Sequence, residues 1–392
     1  MAHVDRVLNA LLDNVANDLK YEESAVKVTP ITYVGGNYTS KLFHATISGK
    51  DKPDLKLFIK IALMGEKMRT QGLKKIFQTE KYVYTKLKGI YREIEEKHNL
   101  PEEHRLEIPN CYGLNETQYE EAIVLNDLTV KGYEVHDRLK PLTWEFAAAA
   151  VTELAKIHSL SFAYAAERPE EFDETQKILK VDLNKDETVP EVWKNMLRQS
   201  VDVTKEENKE WIKNFLSNLS VEAFVEYFRP LRRPVLIHAD SRVSNIMQRA
   251  DEVSDGRVHV RIVDYQTMQG ASPVIDLLYF IFTGSDEAFR AEYYDKLIDH
   301  YYNELSLAMK RLGLNPDEVY SREDFDYEYK EKLPFGLSIA VFTLPVVTVD
   351  AENAPKVDED MDISCFKVEK TSDLFPERLN GIINDFIRWG VI

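Results

Sequence analysis

VLIHADSRVSNIMQRADEVSDGRVHVRIVDYQ, residues 235–266, decides the reading of this chain. Two apolar runs of β type, VLIH and VHVRIVDY, flank a polar loop and a turn at Asp255-Gly256, which predicts a strand–loop–strand hairpin. Inside it stand His238, then Asp240, then Asn245 after four intervening residues, and finally Asp264 at the end of the second run. Phosphoryl transfer needs a carboxylate to orient the attacking hydroxyl, an amide oxygen on magnesium and a second carboxylate on that metal. A hairpin of this kind carries all three groups to its open end. Asp264 falls in phase with Val258, Val260 and Ile262, the face predicted to be buried. A carboxylate there would cost several kcal/mol unless paired or metal-bound. A polar turn with a structural aspartate would explain Asp240 singly, but not three such groups at this spacing.

Outward from this segment, a second constellation lies upstream. Leu73, Phe77, Tyr84, Leu87, Tyr91 and Ile94 follow a three-four spacing, so residues 67–98 are expected to form a long helix with an apolar stripe. Glu80 falls on that stripe and calls for a cation. Lys60 supplies one: in the run LKLFIKIAL it alternates against Leu57, Ile59 and Ile61 and shares the other face with Phe58. A strand lysine held by a helix glutamate grips the α- and β-phosphates in kinases. Gly35, Gly36 and Asn37 sit in a turn between two predicted strands, where backbone N–H groups could approach phosphates; a plain hairpin turn fits the pattern equally. Downstream, Asp276 in IDLLYF reads either as an acceptor of backbone hydrogen bonds from the loop around Asp240 or, equally, as a solvated aspartate at a helix start. His158, on the apolar face of VTELAKIHSL, reads as a satisfied core histidine.

The rest of the chain supplies the frame. Residues 1–23 read as an amphipathic helix, with acidic residues throughout and no cleavage site of export type. Strands are expected over 25–34, 41–48, 55–63 and 119–128, with a loop over 101–113; after Leu128 the pattern turns mostly helical. A polar stretch from Glu167 to Lys209 reads as an insertion or an acceptor-site segment. Ser272 is the expected N-cap of the helix that follows, with Pro273 at its first position. Strands first and helices later predict an α+β fold of two lobes, 1–127 binding nucleotide and 128–392 carrying catalysis and the acceptor. A chain of 392 residues exceeds what one core usually organises.

Composition excludes more than it selects. Against 50 Lys and Arg stand 67 Asp and Glu, a formal charge of −17, which argues against nucleic acid or an anionic membrane as partner. No apolar run approaches the length of about 20 residues that spans a bilayer. Only two cysteines occur, Cys111 and Cys365, without neighbouring ligand-like histidines; a disulfide framework and a zinc site are not expected, and a reducing cytoplasmic setting is.

VGGNYTS, LKLFIKIAL, FQTEKYVY, VLNDL, ELAKIHSLS, HADSRVSNIM, VDYQ and SPVIDLLYF occur in an order and spacing that resemble the ecdysteroid kinase-like proteins, within the wider group of choline kinases and aminoglycoside phosphotransferases. The resemblance runs from about Tyr33 to the C-terminal SDLFPERLNGIINDFIRWGVI. It implies a bilobal protein-kinase-like fold with ATP and Mg2+ bound between the lobes. It further implies Asp240 as catalytic base, Asn245 and Asp264 as magnesium ligands, and Lys60 with Glu80 as the phosphate-gripping pair. The segment Leu125–Leu128, with Asn126 and Leu128, would meet adenine. Ala239 stands where these proteins usually have Gly, so a positive φ there would be strained; Tyr265 stands where Phe is common. A nucleotide-binding pseudokinase would be expected to lack Asp240, Asn245, Asp264 or Lys60, and all four are present. A phosphohydrolase would need more His and Asp ligands, and a protein kinase the Asp-Phe-Gly and Ala-Pro-Glu motifs. The acceptor is expected to be a small, neutral, lipophilic or steroid-like alcohol, and the alternative is a cationic alcohol such as choline or an aminoglycoside.

Overall fold

A computed structural model describes residues 2–31, 40–63, 65–66, 69, 74–180, 189–250, 258–354, 368 and 370–392. Five antiparallel strands form the N-terminal sheet: β1 (Ala25–Ile31), β2 (Ser40–Gly49), β3 (Lys52–Ala62), β4 (Cys111–Asn115) and β5 (Ala122–Asn126), in the order β1-β2-β3-β5-β4. Alternation along the strands builds two cores. Ala45, Ile47, Leu57, Ile59, Ala122 and Val124 face helix α1 (Ala2–Asp18), which buries Val4, Val7, Leu8, Leu11, Leu12 and Val15 against them. Ile123 and Leu125 point to the opposite side and join the large core of the molecule. Lys60 and Phe58 lie on that second face of β3, as their alternation requires.

Helix α2 crosses this second face. It runs from Lys74–Tyr82 through a π-helical turn, Val83–Leu87, into Lys88–Lys97. Its stripe is buried as the spacing predicts: Phe77, Tyr84, Leu87, Tyr91 and Ile94, with Glu80 at 3% exposure among them. The loop expected over 101–113 differs at its end, because Cys111 begins β4. That edge strand is half-buried at every position, so no alternation marks it.

Beyond β5, helices dominate: α3 (Trp144–Glu167), α4 (Pro169–Leu179), α5 (Val189–Val203), α6 (Lys209–Ser217), α7 (Val221–Glu226), α8 (Val274–Gly284), α9 (Glu287–Arg311), α10 (Pro316–Val319), α11 (Arg322–Lys332), α12 (Pro334–Val347) and α13 (Leu374–Arg388). Among the described residues no helix is long and apolar enough to cross a membrane. Helix α12 packs so closely on α8 that a Cβ at Gly336 would fall 2.3 Å from the Phe282 ring.

Short strands hold the segment that decides the fold. β7 (Val235–Ile237) pairs with β10 (Gln269–Ala271), while β8 (Ile246–Ala250) pairs with β9 (Val258–Ile262) and with β6 (Glu134–Val135), all antiparallel. The expected hairpin of two strands is therefore two ladders, and residues 238–245 cross from one to the other. Asp264 also departs from its expected place. It lies past the end of β9 with φ +67°, so it has left the strand and its phase, and its side chain keeps 22% exposure.

The buried carboxylate of Glu328 fixes where β7 enters and β10 leaves. It accepts from Leu231 N at 2.7 Å, Arg232 N at 3.1 Å, Ser272 Oγ at 3.0 Å and the Tyr320 hydroxyl at 2.6 Å. Ser272 is thus committed to Glu328 and does not cap α8 through its side chain. Glu328→Ala would strand four donors and is expected to lower the unfolding free energy by about 3 kcal/mol, read by urea denaturation. A loss below about 1 kcal/mol would show that the carboxylate is dispensable.

Candidate active site

A carboxylate and a histidine shape the loop after β7. Asp276, fully buried in the first turn of α8, accepts from His238 N at 2.7 Å through Oδ2 and from Ala239 N at 2.8 Å through Oδ1. His158 Nε2 meets the same Oδ2 at 3.1 Å, and its Nδ1 lies 2.7 Å from the Tyr301 hydroxyl. Both ring nitrogens are satisfied, and the expected core histidine orients Asp276. His238 Nε2 is 3.0 Å from Val263 O while Nδ1 accepts from Asp240 N at 3.3 Å, a pattern that suits the neutral Nε2–H tautomer. These bonds hold Ala239 at φ +63°. The strain anticipated at that position is present, and a side chain there costs about 1 kcal/mol over glycine.

The turn delivers Asp240 and Asn245 to one another. Asn245 Nδ2 donates to Asp240 O at 2.9 Å and to Asp240 Oδ2 at 3.0 Å, which leaves Oδ1 as the lone-pair atom of the amide. Asp240 Oδ1 is sealed from solvent and accepts no hydrogen bond among the described residues. Arg242 Nε stands 3.5 Å from it, and the Tyr279 hydroxyl faces the same carboxylate.

Lys60 gathers the second constellation. Its ammonium lies 2.8 Å from Glu80 Oε2, 2.5 Å from Asp264 Oδ1 and 3.0 Å from Gln266 Oε1. Burial works against its charge, yet Asp264 and then Glu80 hold the lysine above its ordinary pKa. Burial opposes ionisation of Asp264 too, and Lys60 overrides it and keeps that carboxyl below the usual range. Glu80 is raised, because burial and the Asp264 charge outweigh the pull of Lys60. The ionised partner of Lys60 is therefore Asp264 first. Gln266, which also donates to Asp264 Oδ2 at 3.2 Å, has no counterpart in the sequence reading, nor does the placement of Arg242 and Tyr279. Gln266 lies two residues past Asp264 in a 3-10 turn, and neither pattern nor charge marks it.

In front of Lys60 opens a cavity of about 210 Å3. Ile31, Leu42 and Phe58 form one apolar side, Met247 and Val263 the other, and the strip Leu125–Thr129 its edge. Leu128 begins a 3-10 turn, so its N–H has no partner within that turn. Asn126 Oδ1 accepts from Asn110 N at 2.6 Å. Lys60, Glu80, Asn126, Leu128, Asn245 and Asp264 all line this one cavity, and Asp240 adjoins it through Asn245. Gly35, Gly36 and Asn37 lie outside the described residues.

Among the described residues no cluster of three or more His, Cys, Asp or Glu could cage a metal by itself. The donors that fit are Asn245 Oδ1 and the Asp264 carboxylate, two protein ligands of the hard-oxygen kind that magnesium takes alongside phosphates and water.

A sheet with a buried lysine, closed over a helical body that presents an aspartate, an asparagine and a second aspartate, defines a phosphotransferase of the kinase-like class. The model of the ecdysteroid kinase-like family matches residues 34–314, and the chain belongs to that family of small-molecule kinases. No curated protein matches it in sequence. Among solved structures, glucosamine kinase in crystal form B is similar at 11% identity and a TM-score of 0.36, over 96% of this chain and 84% of that one. Glucosamine kinase in complex with glucosamine, ADP and inorganic phosphate follows at 12% and 0.35, over 95% and 82%. At that distance neither bears on the nucleotide or the acceptor.

Ala239→Gly is expected to raise the unfolding free energy by about 0.5 kcal/mol, since relief at φ +63° exceeds the entropy that glycine adds to the unfolded chain. Thermal or urea unfolding checks it. A loss of stability would show that the loop is unstrained.

Proposed function

We propose that the protein transfers the γ-phosphate of ATP to the hydroxyl of a small, neutral, largely apolar alcohol. In this reading residues 1–127 bind nucleotide and 128–392 carry catalysis and the acceptor. The observation that carries it is Lys60, shared by Glu80 and Asp264 in the lining of an apolar cavity, with Asn245 in the same lining and Asp240 bonded to it. Adenine fits between Leu42 and Phe58 on one side and Met247 and Val263 on the other, with its polar edge against the Asn126–Leu128 backbone. Lys60 would hold the α- and β-phosphates. Asn245 and Asp264 would hold magnesium, which when bound supplies charge neutralisation to the phosphate oxygens. Asp240, held through Oδ2 by Asn245, would orient the acceptor hydroxyl and take its proton.

The neutral acceptor is supported from the helical side. Helix α12 is buried along nearly all its length, but Phe342 and Thr343 are half-exposed. Thr343 adjoins the Tyr279 hydroxyl, which in turn faces Asp240. Phe342 stacks on Trp193 of α5 at 3.8 Å between ring centroids and meets Phe224 of α7 at 5.3 Å. Half-buried aromatic rings beginning one residue from Thr343 suit an apolar ring system, in keeping with a steroid-like alcohol. The Arg242 guanidinium beside Asp240 would repel a cationic one.

Asp240→Asn and Asp264→Asn are each expected to reduce turnover by at least about a thousandfold with the fold intact. Asp264→Asn alone should also weaken ATP binding measured with magnesium. Appreciable turnover by the Asp264 variant would remove it from the proposed role. For the acceptor, a panel with labelled ATP should show transfer to ecdysteroid-like sterols or simple lipophilic alcohols, and little to choline, ethanolamine or aminoglycosides. Transfer to the cationic members alone would overturn the neutral reading.

A further inference from the structure

Arg242 is the only Lys or Arg in the loop 238–245, and it stands beside the Asp240 carboxylate. Its Nε is 3.5 Å from Asp240 Oδ1, with both side chains 12% exposed. At that distance the contact is an ion pair at the outer limit of hydrogen bonding, one that an incoming anion can replace. The same residue is tied to the magnesium side by geometry, since Asn245 N donates to Arg242 O at 2.9 Å, and its charge, after burial, which opposes ionisation, and Lys60, also favours the Asp264 carboxylate. Arg242 therefore lies between the group that orients the acceptor and the group that would hold the metal. A phosphorus atom passing from donor to acceptor has to cross that gap. Lys60, held by Glu80, Asp264 and Gln266, is taken in the reading above by the α- and β-phosphates, so the γ-phosphoryl oxygens need a second cation.

We propose that Arg242 is a further catalytic residue, whose guanidinium donates to the oxygens of the transferring γ-phosphoryl group. The inference rests on the kinase reading given above. In the step, the acceptor oxygen forms a bond to Pγ and its proton goes to Asp240. The bond from Pγ to the β,γ-bridging oxygen breaks, and its electron pair stays on the β-phosphate of ADP. Arg242 remains protonated throughout and meets the charge that spreads over the equatorial oxygens, the part an arginine supplied in cis can play. Its permanent charge also sets acceptor choice, since an ammonium-bearing alcohol would have to approach Asp240 past it.

The test compares ADP with the non-hydrolysable AMP-PNP, both with magnesium, by calorimetry on wild type, Arg242→Gln and Arg242→Lys. A residue that meets the γ-phosphate contributes to the triphosphate alone. Arg242→Gln should lose about tenfold in AMP-PNP affinity at unchanged ADP affinity, the effect of one charge-assisted hydrogen bond. Arg242→Lys should recover part of that ratio, and turnover of the Gln variant should fall by about a hundredfold or more. Thermal unfolding confirms that the variants fold. An unchanged ratio, or equal losses on ADP and AMP-PNP, overturns the proposal whatever happens to the rate. The kinase reading fails differently: wild type would bind neither nucleotide, or Asp240→Asn would retain activity.

Discussion

The carboxylate of Asp276 is the constraint on which the site depends. Fully enclosed at the start of α8, it receives two consecutive backbone N–H groups and a histidine, and so it dictates the direction of the chain at Ala239. An L-residue at φ +63° persists only when its surroundings over-determine it. Two hydrogen bonds to a buried carboxyl do so, each worth about 1 kcal/mol net and more to leave unmade. Without that turn Asp240 would continue the line of β7 toward β10. With it, the chain leaves the ladder, and Asp240 and Asn245 close on one another.

Lys60 ties this loop system to the sheet. Its three partners come from α2 and from the turn after β9, so one ammonium joins three elements far apart in sequence. A buried lysine of this kind gives little net stability, because desolvation offsets most of the Coulomb gain. Its value is positional: Asp264, at φ +67° and beyond any strand, has no ladder to hold it, and its carboxylate is fixed by Lys60 and Gln266.

Periodic features of the fold were legible in the sequence, and non-periodic ones were not. The stripe through Phe77, Tyr84, Tyr91 and Ile94 reads as a helix face and carries Glu80 inward even across the π turn. Alternation in β3 separates Lys60 from Ile59 and Ile61 and thereby predicts its meeting with Glu80. β4 escaped because every residue of it is half-buried, and β8 because only Ile246 is buried along its length. Pairing of β7 with β10 in place of β9 could not be read from composition, since β10 is only Gln-Gly-Ala and carries no apolar run to mark it as a strand. The carboxylate of Asp264 was read on a strand face that the chain has already left. Arg242 and Gln266 carry no periodic or compositional mark, and only their distances to Asp240 and Lys60 single them out.

The acidic balance of the chain, −17, at first appears hostile to a polyphosphate. Local charge decides otherwise, and it also sets the form in which a nucleotide can enter. Lys60 is matched by Asp264, and Arg242 by Asp240, so the two cations nearest the cavity are already balanced before any ligand arrives. Glu80 adds no positive charge, and burial together with the Asp264 charge raises its pKa to about 7. The cleft thus carries no excess positive charge and cannot by itself offset the three or more negative charges of a nucleoside triphosphate. On the proposed reading the polyphosphate must bring its own dication, for which the Asp264 carboxylate and Asn245 Oδ1 are the oxygen donors that fit. On that reading Asp264 would hold the metal and Lys60 the phosphates, so each member of the ion pair has a ligand group of opposite charge to meet.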